Sequence, residues 1–141
     1  MDTRVYTVNL SVLLKPVQIP IGRIGIADEM VDFTLYEESW FDFQYQGTKD
    51  TSVIFQIEHY GKLNKDPDTA IIVEQVKFNN ITSPKFAWAG VYTPSYPPHL
   101  QGAQQLSPHT YLGWNGVWAL EFTLPIYTWI HKIENLGWIY D

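Results

Sequence analysis

Tyr111-Leu112-Gly113-Trp114-Asn115-Gly116-Val117-Trp118-Ala119-Leu120-Glu121-Phe122-Thr123-Leu124 is the stretch whose reading decides the fold. Trp118, Leu120, Phe122 and Leu124 recur at every second position, with Val117, Ala119, Glu121 and Thr123 between them. A period of two is that of a strand with one face to the core and one smaller, wetter face. Asn115-Gly116 at its head is the pair favoured in a two-residue type I′ turn, whose central residues both need positive φ. The stretch therefore reads as a β-hairpin.

Working outward, the same period returns along the chain. From Arg4 to Leu14, Tyr6, Val8, Leu10, Val12 and Leu14 share one face, and Pro16 and Pro20 are expected to break the pairing. Ile19 to Ile26, Val31 to Leu35, Trp40 to Tyr45 and Thr51 to Tyr60 read as further strands, separated by turn residues. Thr69 to Phe78 is apolar on both faces, with Ala70, Ile72, Val76 and Phe78 set against Ile71 and Val73, which suits a central strand. Phe86 to Tyr92, Ile126 to His131 and Leu136 to Tyr140 complete the set, and no helix of three turns is expected. Roughly nine to eleven short strands make the fold class all-β, a two-sheet β-sandwich or jelly roll. A chain of 141 residues fits one such domain, spanning 1–141.

Composition narrows the function. The chain is 45% hydrophobic and 17% charged, too apolar for disorder. With no cysteine, disulfides, thiolate metal sites and cysteine nucleophiles are excluded. A net charge of −6 with nine scattered Lys and Arg argues against nucleic acid as a partner. No apolar run approaches the ~20 residues of a membrane span. The start Met1-Asp2-Thr3-Arg4 leads straight into a strand without a signal-peptide core. A cytoplasmic protein, or one exported by lysis, is the expectation.

Catalytic patterns are weak. No pair of glycines frames a serine as in a nucleophile elbow. His59, His99, His109 and His131 lack metal-ligand spacing, and for His59 and His131, in strands, hydrogen-bonded structural roles are the commoner reading. Jelly-roll glycanases place two carboxylates across a cleft, and Glu58, Glu74 and Glu121 all fall on strands. Glu74 shares the parity of Ile72 and Val76, so it is read as buried with a partner or functional. Asn64, Asp66 and Asp68 offer hard oxygen ligands within five residues, part of a calcium site at most. An Asx-turn explains the same residues.

The aromatic content, 16% with six tryptophans, carries more. Ring faces are electron-rich and attract the slightly positive C–H groups of sugars, and a sheet holds such rings at little entropic cost. Tyr92, Tyr96, Tyr111 and Trp114 gather around the aperiodic, proline-rich stretch from Thr93 to Pro108, with Asn115 and Gln101 as polar neighbours. These six form the candidate ligand-binding set. Trp88 and Trp118 alternate with small residues and are expected in the core. The same exposed rings suit a protein interface equally well.

Two resemblances attach to these residues. Val53-Ile54-Phe55, Asp66-Pro67-Asp68, Ile71 to Phe78 and Asn79-Asn80 together resemble the calcium-dependent xylan-binding modules, although that family's calcium loop is richer in acids. This resemblance implies a β-sandwich that binds glycan, with calcium as a possible cofactor. Phe86 to Pro94, Tyr111 to Gly116, Trp129-Ile130-His131 and Glu134 to Trp138 resemble small β-sandwich proteins of tailed phages, particularly those of marine cyanobacteria. This second resemblance implies a virion component, at the tail or on the capsid surface. The sequence thus favours a non-catalytic carbohydrate-binding module. A structural virion protein with subunit contacts or homo-oligomers is the alternative, and a hydrolase using Glu74 and Glu121 the third reading.

Overall fold

The computed structural model describes residues 4–62, 69–95, 105–106 and 108–134. In chain order these form β1 (Val5–Val17), β2 (Ile21–Ile26), β3 (Glu29–Thr34), β4 (Ser39–Thr48), β5 (Ser52–Tyr60), β6 (Ala70–Phe78) and β7 (Ile81–Thr82). There follow α1 (Pro84–Trp88), β8 (Val91–Pro94), β9 (Tyr111–Leu112), β10 (Gly116–Thr123) and α2 (Ile126–Ile133). One sheet runs β4-β1-β6-β7, with β9 also on β6, and the other β3-β2-β5-β10-β8. Every pairing is antiparallel. The all-β sandwich expected from the alternation is what forms.

The buried faces follow the period of two. Val8, Leu10, Val12 and Leu14 of β1 face Val53, Phe55 and Ile57 of β5 and Trp118, Leu120 and Phe122 of β10 across a sealed core. Phe78 touches Phe86, Phe122 and Trp129 edge-on, with ring centroids 4.9–5.2 Å apart. Trp118 meets Phe55 edge-on at 6.2 Å. Such edge contacts bring the positive rim of one ring to the negative face of the next.

Several sequence expectations fail for identifiable reasons. Tyr111 to Leu124 is not a hairpin. Tyr111 and Leu112 pair with Ile72 and Ile71 in one sheet, whereas β10 lies between β5 and β8 in the other. The chain crosses between sheets at residues 113–115, and Asn115 keeps a negative φ. Pro16 does not end β1. Beyond Leu14, β1 is paired only with β6, so its missing N–H falls where one neighbour is absent.

In β6 the register slips opposite Leu13/Leu14, so that Glu74 is the extra residue of a β-bulge. The bulge changes parity, and Ile71, Val73, Val76 and Phe78 share the core face, with Glu74 exposed. The expected strand from Phe86 is α1, started by the Ser83 hydroxyl, which accepts from Lys85 N–H at 3.3 Å, and by Pro84. Its last residue, Trp88, is exposed, contrary to the core placement expected from alternation. Ile126 to His131 is helical, because Ile126, Trp129, Ile130 and Ile133 repeat at i, i+3, i+4, i+7. The strand expected at Leu136 to Tyr140 lies outside the described residues. Among the described residues, no helix is long and apolar enough to cross a membrane.

Candidate functional site

One end of the sandwich gathers the last residues of β5, the start of β6, all of β9 and the crossover at 113–115. Lys62 organises it. Its backbone N–H donates to Asn115 Oδ1 at 2.9 Å, and Asn115 Nδ2 donates back to the Lys62 carbonyl at 2.9 Å. The Asn115 amide thus imitates one rung of a sheet. The buried Lys62 ammonium donates to the carbonyls of Thr69, at 3.1 Å, and Gly113. It also sits 4.6 Å from the centroid of the Trp114 ring.

The crossover is pinned from its other side as well. The Tyr92 hydroxyl donates to the Trp114 carbonyl and accepts from Trp114 N–H at 3.0 Å. Ser95 N–H donates to the Asn115 carbonyl at 2.6 Å. The Tyr92 ring stacks on His109 with centroids 5.4 Å apart and planes 5° from parallel. The His109 carbonyl accepts from Trp118 Nε1 at 2.9 Å.

Beneath lies His59, 1% exposed, whose Nδ1 is 2.9 Å from the Leu112 carbonyl. A carbonyl can only accept, so Nδ1 carries the proton, and among the described residues the buried Nε2 has no hydrogen-bond partner. Burial, reinforced by the nearby Lys62 charge, holds the His59 pKa below that of an ordinary histidine, against an opposing pull from the Leu112 and Trp114 carbonyls.

This geometry sorts the six residues of the candidate set. Tyr92 is corrected: it is 1% exposed, paired with Trp118 in the ladder and turned inward, so it supports the crossover and presents nothing outward. Asn115 has a structural role that the sequence did not suggest, since each polar atom of its side chain makes one hydrogen bond to the Lys62 backbone, with its second N–H and second lone pair not used in that pair. Tyr111 is 46% exposed, and its ring lies against Gly113, where a Cβ would meet Tyr111 Cε1 at 3.0 Å. The half-buried Trp114 follows directly. Tyr111 therefore flanks, and Trp114 belongs to, a backbone segment held by four hydrogen bonds.

Tyr96 and Gln101 lie outside the described residues, as do the calcium candidates Asn64, Asp66 and Asp68. Among the described residues no group of three or more His, Asp or Glu could hold a metal. Lys62 went unnoticed in the sequence. A strand-end lysine carries no local signal that it will be buried.

The carboxylate pair for hydrolysis does not assemble. Glu74 is the exposed bulge residue of one sheet, and Glu121 projects from the outer face of the other. A two-carboxylate mechanism needs both groups within about 10 Å across one cleft.

Fold and site together define an antiparallel β-sandwich presenting a pinned aromatic segment at one end. No family model and no curated protein matches the chain. A solved structure described as "vCBM60 in complex with galactobiose" is similar, with a TM-score of 0.53 at 14% identity over 79% of this chain and 96% of that one. At that identity the likeness is one of fold, and it agrees with the resemblance to carbohydrate-binding modules read from residues 51 to 81.

Proposed function

We propose that this chain is a non-catalytic carbohydrate-binding module whose ligand lies against Trp114 and Tyr111. The observation that carries this reading is the immobilised crossover. Lys62, Tyr92 and Ser95 fix the backbone of 113–115, so both rings are offered at little further entropic cost. A sandwich related in fold is solved with galactobiose bound, which supports the ligand class. Each site of this kind binds weakly, and strong attachment comes from many copies.

A glycan array followed by calorimetry tests the reading. Trp114→Ala should abolish sugar binding while the protein stays folded at 20 °C, and unchanged binding would refute it. A second reading is favoured by one observation. Ile81, Trp88 and Tyr127 are all exposed, at 39%, 52% and 54%, on elements beside the end of β6. Such residues suit subunit contacts, as in a structural virion protein. Sedimentation that detects an oligomer lost in Trp88→Ser would favour this second role.

A further inference from the structure

We infer that the glycan path continues from Tyr111 across the outer face of the sheet formed by β9, β6, β1 and β4 as far as Trp40, so that the ligand is an extended neutral oligosaccharide. The inference rests on the reading of Trp114 and Tyr111 as a glycan site, and adds to it a second ring and a ligand length.

Register places the two rings on one surface. Tyr111 of β9 is opposite Ile72 of β6, and Ile72 is opposite Lys15 of β1. Two residues earlier in β1, Leu13 stands between Gln75 of β6 and Trp40 of β4. Directly opposed residues of an antiparallel pair turn their side chains to the same face. Val8, Leu10, Val12 and Leu14 take the core, so Leu13 and Lys15 point outward, and with them Trp40, Gln75, Ile72 and Tyr111. The bulge at Glu74 makes this arrangement possible. Ile72 and Gln75 are an odd number of residues apart, and only the extra residue between them lets both face out. Three strand spacings and one step of two residues set the Tyr111 and Trp40 positions about 16 Å apart, the reach of about three linked pyranose rings.

The chemistry of this diagonal selects the ligand. Tyr111 and Trp40 are 46% and 43% exposed. Between them the half-buried Ile72 and the outward-facing Leu13 form an apolar floor. The Lys77 ammonium, 4.7 Å from the centroid of the Trp40 ring, orients the indole without hiding it. Rings and aliphatic floor suit the C–H faces of successive sugar units. Gln75 and Ser11, beside the strip, each carry a donor and an acceptor for hydroxyls. Lys15 and Lys77 are balanced by Asp42 and Glu74 along the same sheet, so the surface favours neither an anionic nor a cationic polymer. A neutral glycan chain laid along the diagonal meets ring, floor and ring in turn.

Calorimetry and residue-resolved NMR of the whole chain, with the disaccharides and linear tetrasaccharides of galactose, xylose, glucose and mannose, test this. For at least one sugar the tetrasaccharide should bind about tenfold tighter than its disaccharide, a gain in line with one further ring contact. Its amide shifts should spread from residues 111–116 to residues 11–15, 40–42 and 75–77. Trp40→Ala should return the tetrasaccharide to the disaccharide's affinity and remove the shifts at 11–15 and 75–77. Trp40→Phe, which keeps a ring, should restore most of the gain. Trp88→Ser, at an exposed indole on α1, should leave the gain intact. Equal affinity for both lengths, with shifts confined to 111–116, would overturn the inference while the Trp114 reading stands. A gain with length that survives Trp40→Ala overturns it as well. Shifts around Trp40 with 111–116 silent, or no response to any sugar, would overturn the Trp114 reading and the continuous path together.

Discussion

Replacing Asn115 with alanine separates a structural role for this residue from a ligand contact. The side chain makes two hydrogen bonds of 2.9 Å, both to the partly buried backbone of Lys62. Each such bond is worth about 0.5–1.5 kcal/mol net, and a backbone group left unsatisfied costs about 1–3 kcal/mol. Water reaches part of this surface, since Gly61 is exposed and Asn115 half-buried. The expected loss is therefore about 2–3 kcal/mol rather than the sum of the extremes. At about 2.1 cal/mol/K of unfolding entropy per residue, a chain of this length loses about 3 °C of Tm per kcal/mol, or about 6–10 °C in all. Thermal melts and urea titrations of the variant measure this directly. Asn115→Asp keeps an acceptor for Lys62 N–H but sets a carboxylate oxygen against the Lys62 carbonyl, so it should not rescue stability. A Tm within 2 °C of the parent would refute the clamp and return Asn115 to the ligand contacts.

Other outcomes follow from the same geometry. Gly90→Ala would put a Cβ 2.0 Å from the indole of the fully buried Trp118, and overpacking there should cost about 3 kcal/mol in urea unfolding. His59 is buried neutral with its pKa lowered, so the unfolded chain binds its proton first as the pH falls. Its contribution is intact above the ordinary histidine pKa of about 6.5 and declines below it, by up to about 1.4 kcal/mol per pH unit until the folded state also protonates. His59→Gln should flatten the stability profile between pH 7 and pH 5, and an unchanged slope would show that other groups set it. Trp114→Ala removes a cation–π contact of about 0.5–2 kcal/mol, so its melting point should fall by a few degrees alongside the loss of sugar binding. Loss of stability with binding intact would assign Trp114 to the scaffold alone.

Much of the fold was legible residue by residue. Val8 to Leu14 and Trp118 to Leu124 alternate, and they line the core because a strand turns alternate side chains to opposite faces. α2 reads as a strand in the sequence, because a short apolar run after Pro125 fits an extended segment, and the helical spacing of Ile126, Trp129, Ile130 and Ile133 is passed over. The bulge at Glu74 was not legible. A register slip depends on what the neighbouring strand offers, and one extra residue reverses the face of everything before it.

What the chain determines by itself is the strand alternation, the all-β class and the wealth of rings, since these follow from local sterics and from the need to bury apolar area. What only the tertiary structure decides is which rings are offered outward. Tyr92, Tyr111 and Trp114 look alike in the sequence, yet Tyr92 is sealed opposite Trp118 while Tyr111 is open. Lys62 and Asn115, 53 positions apart, meet only because β5 and β10 are neighbours. Such pairings are set by sheet order, and sheet order is settled by long-range packing that no local pattern encodes.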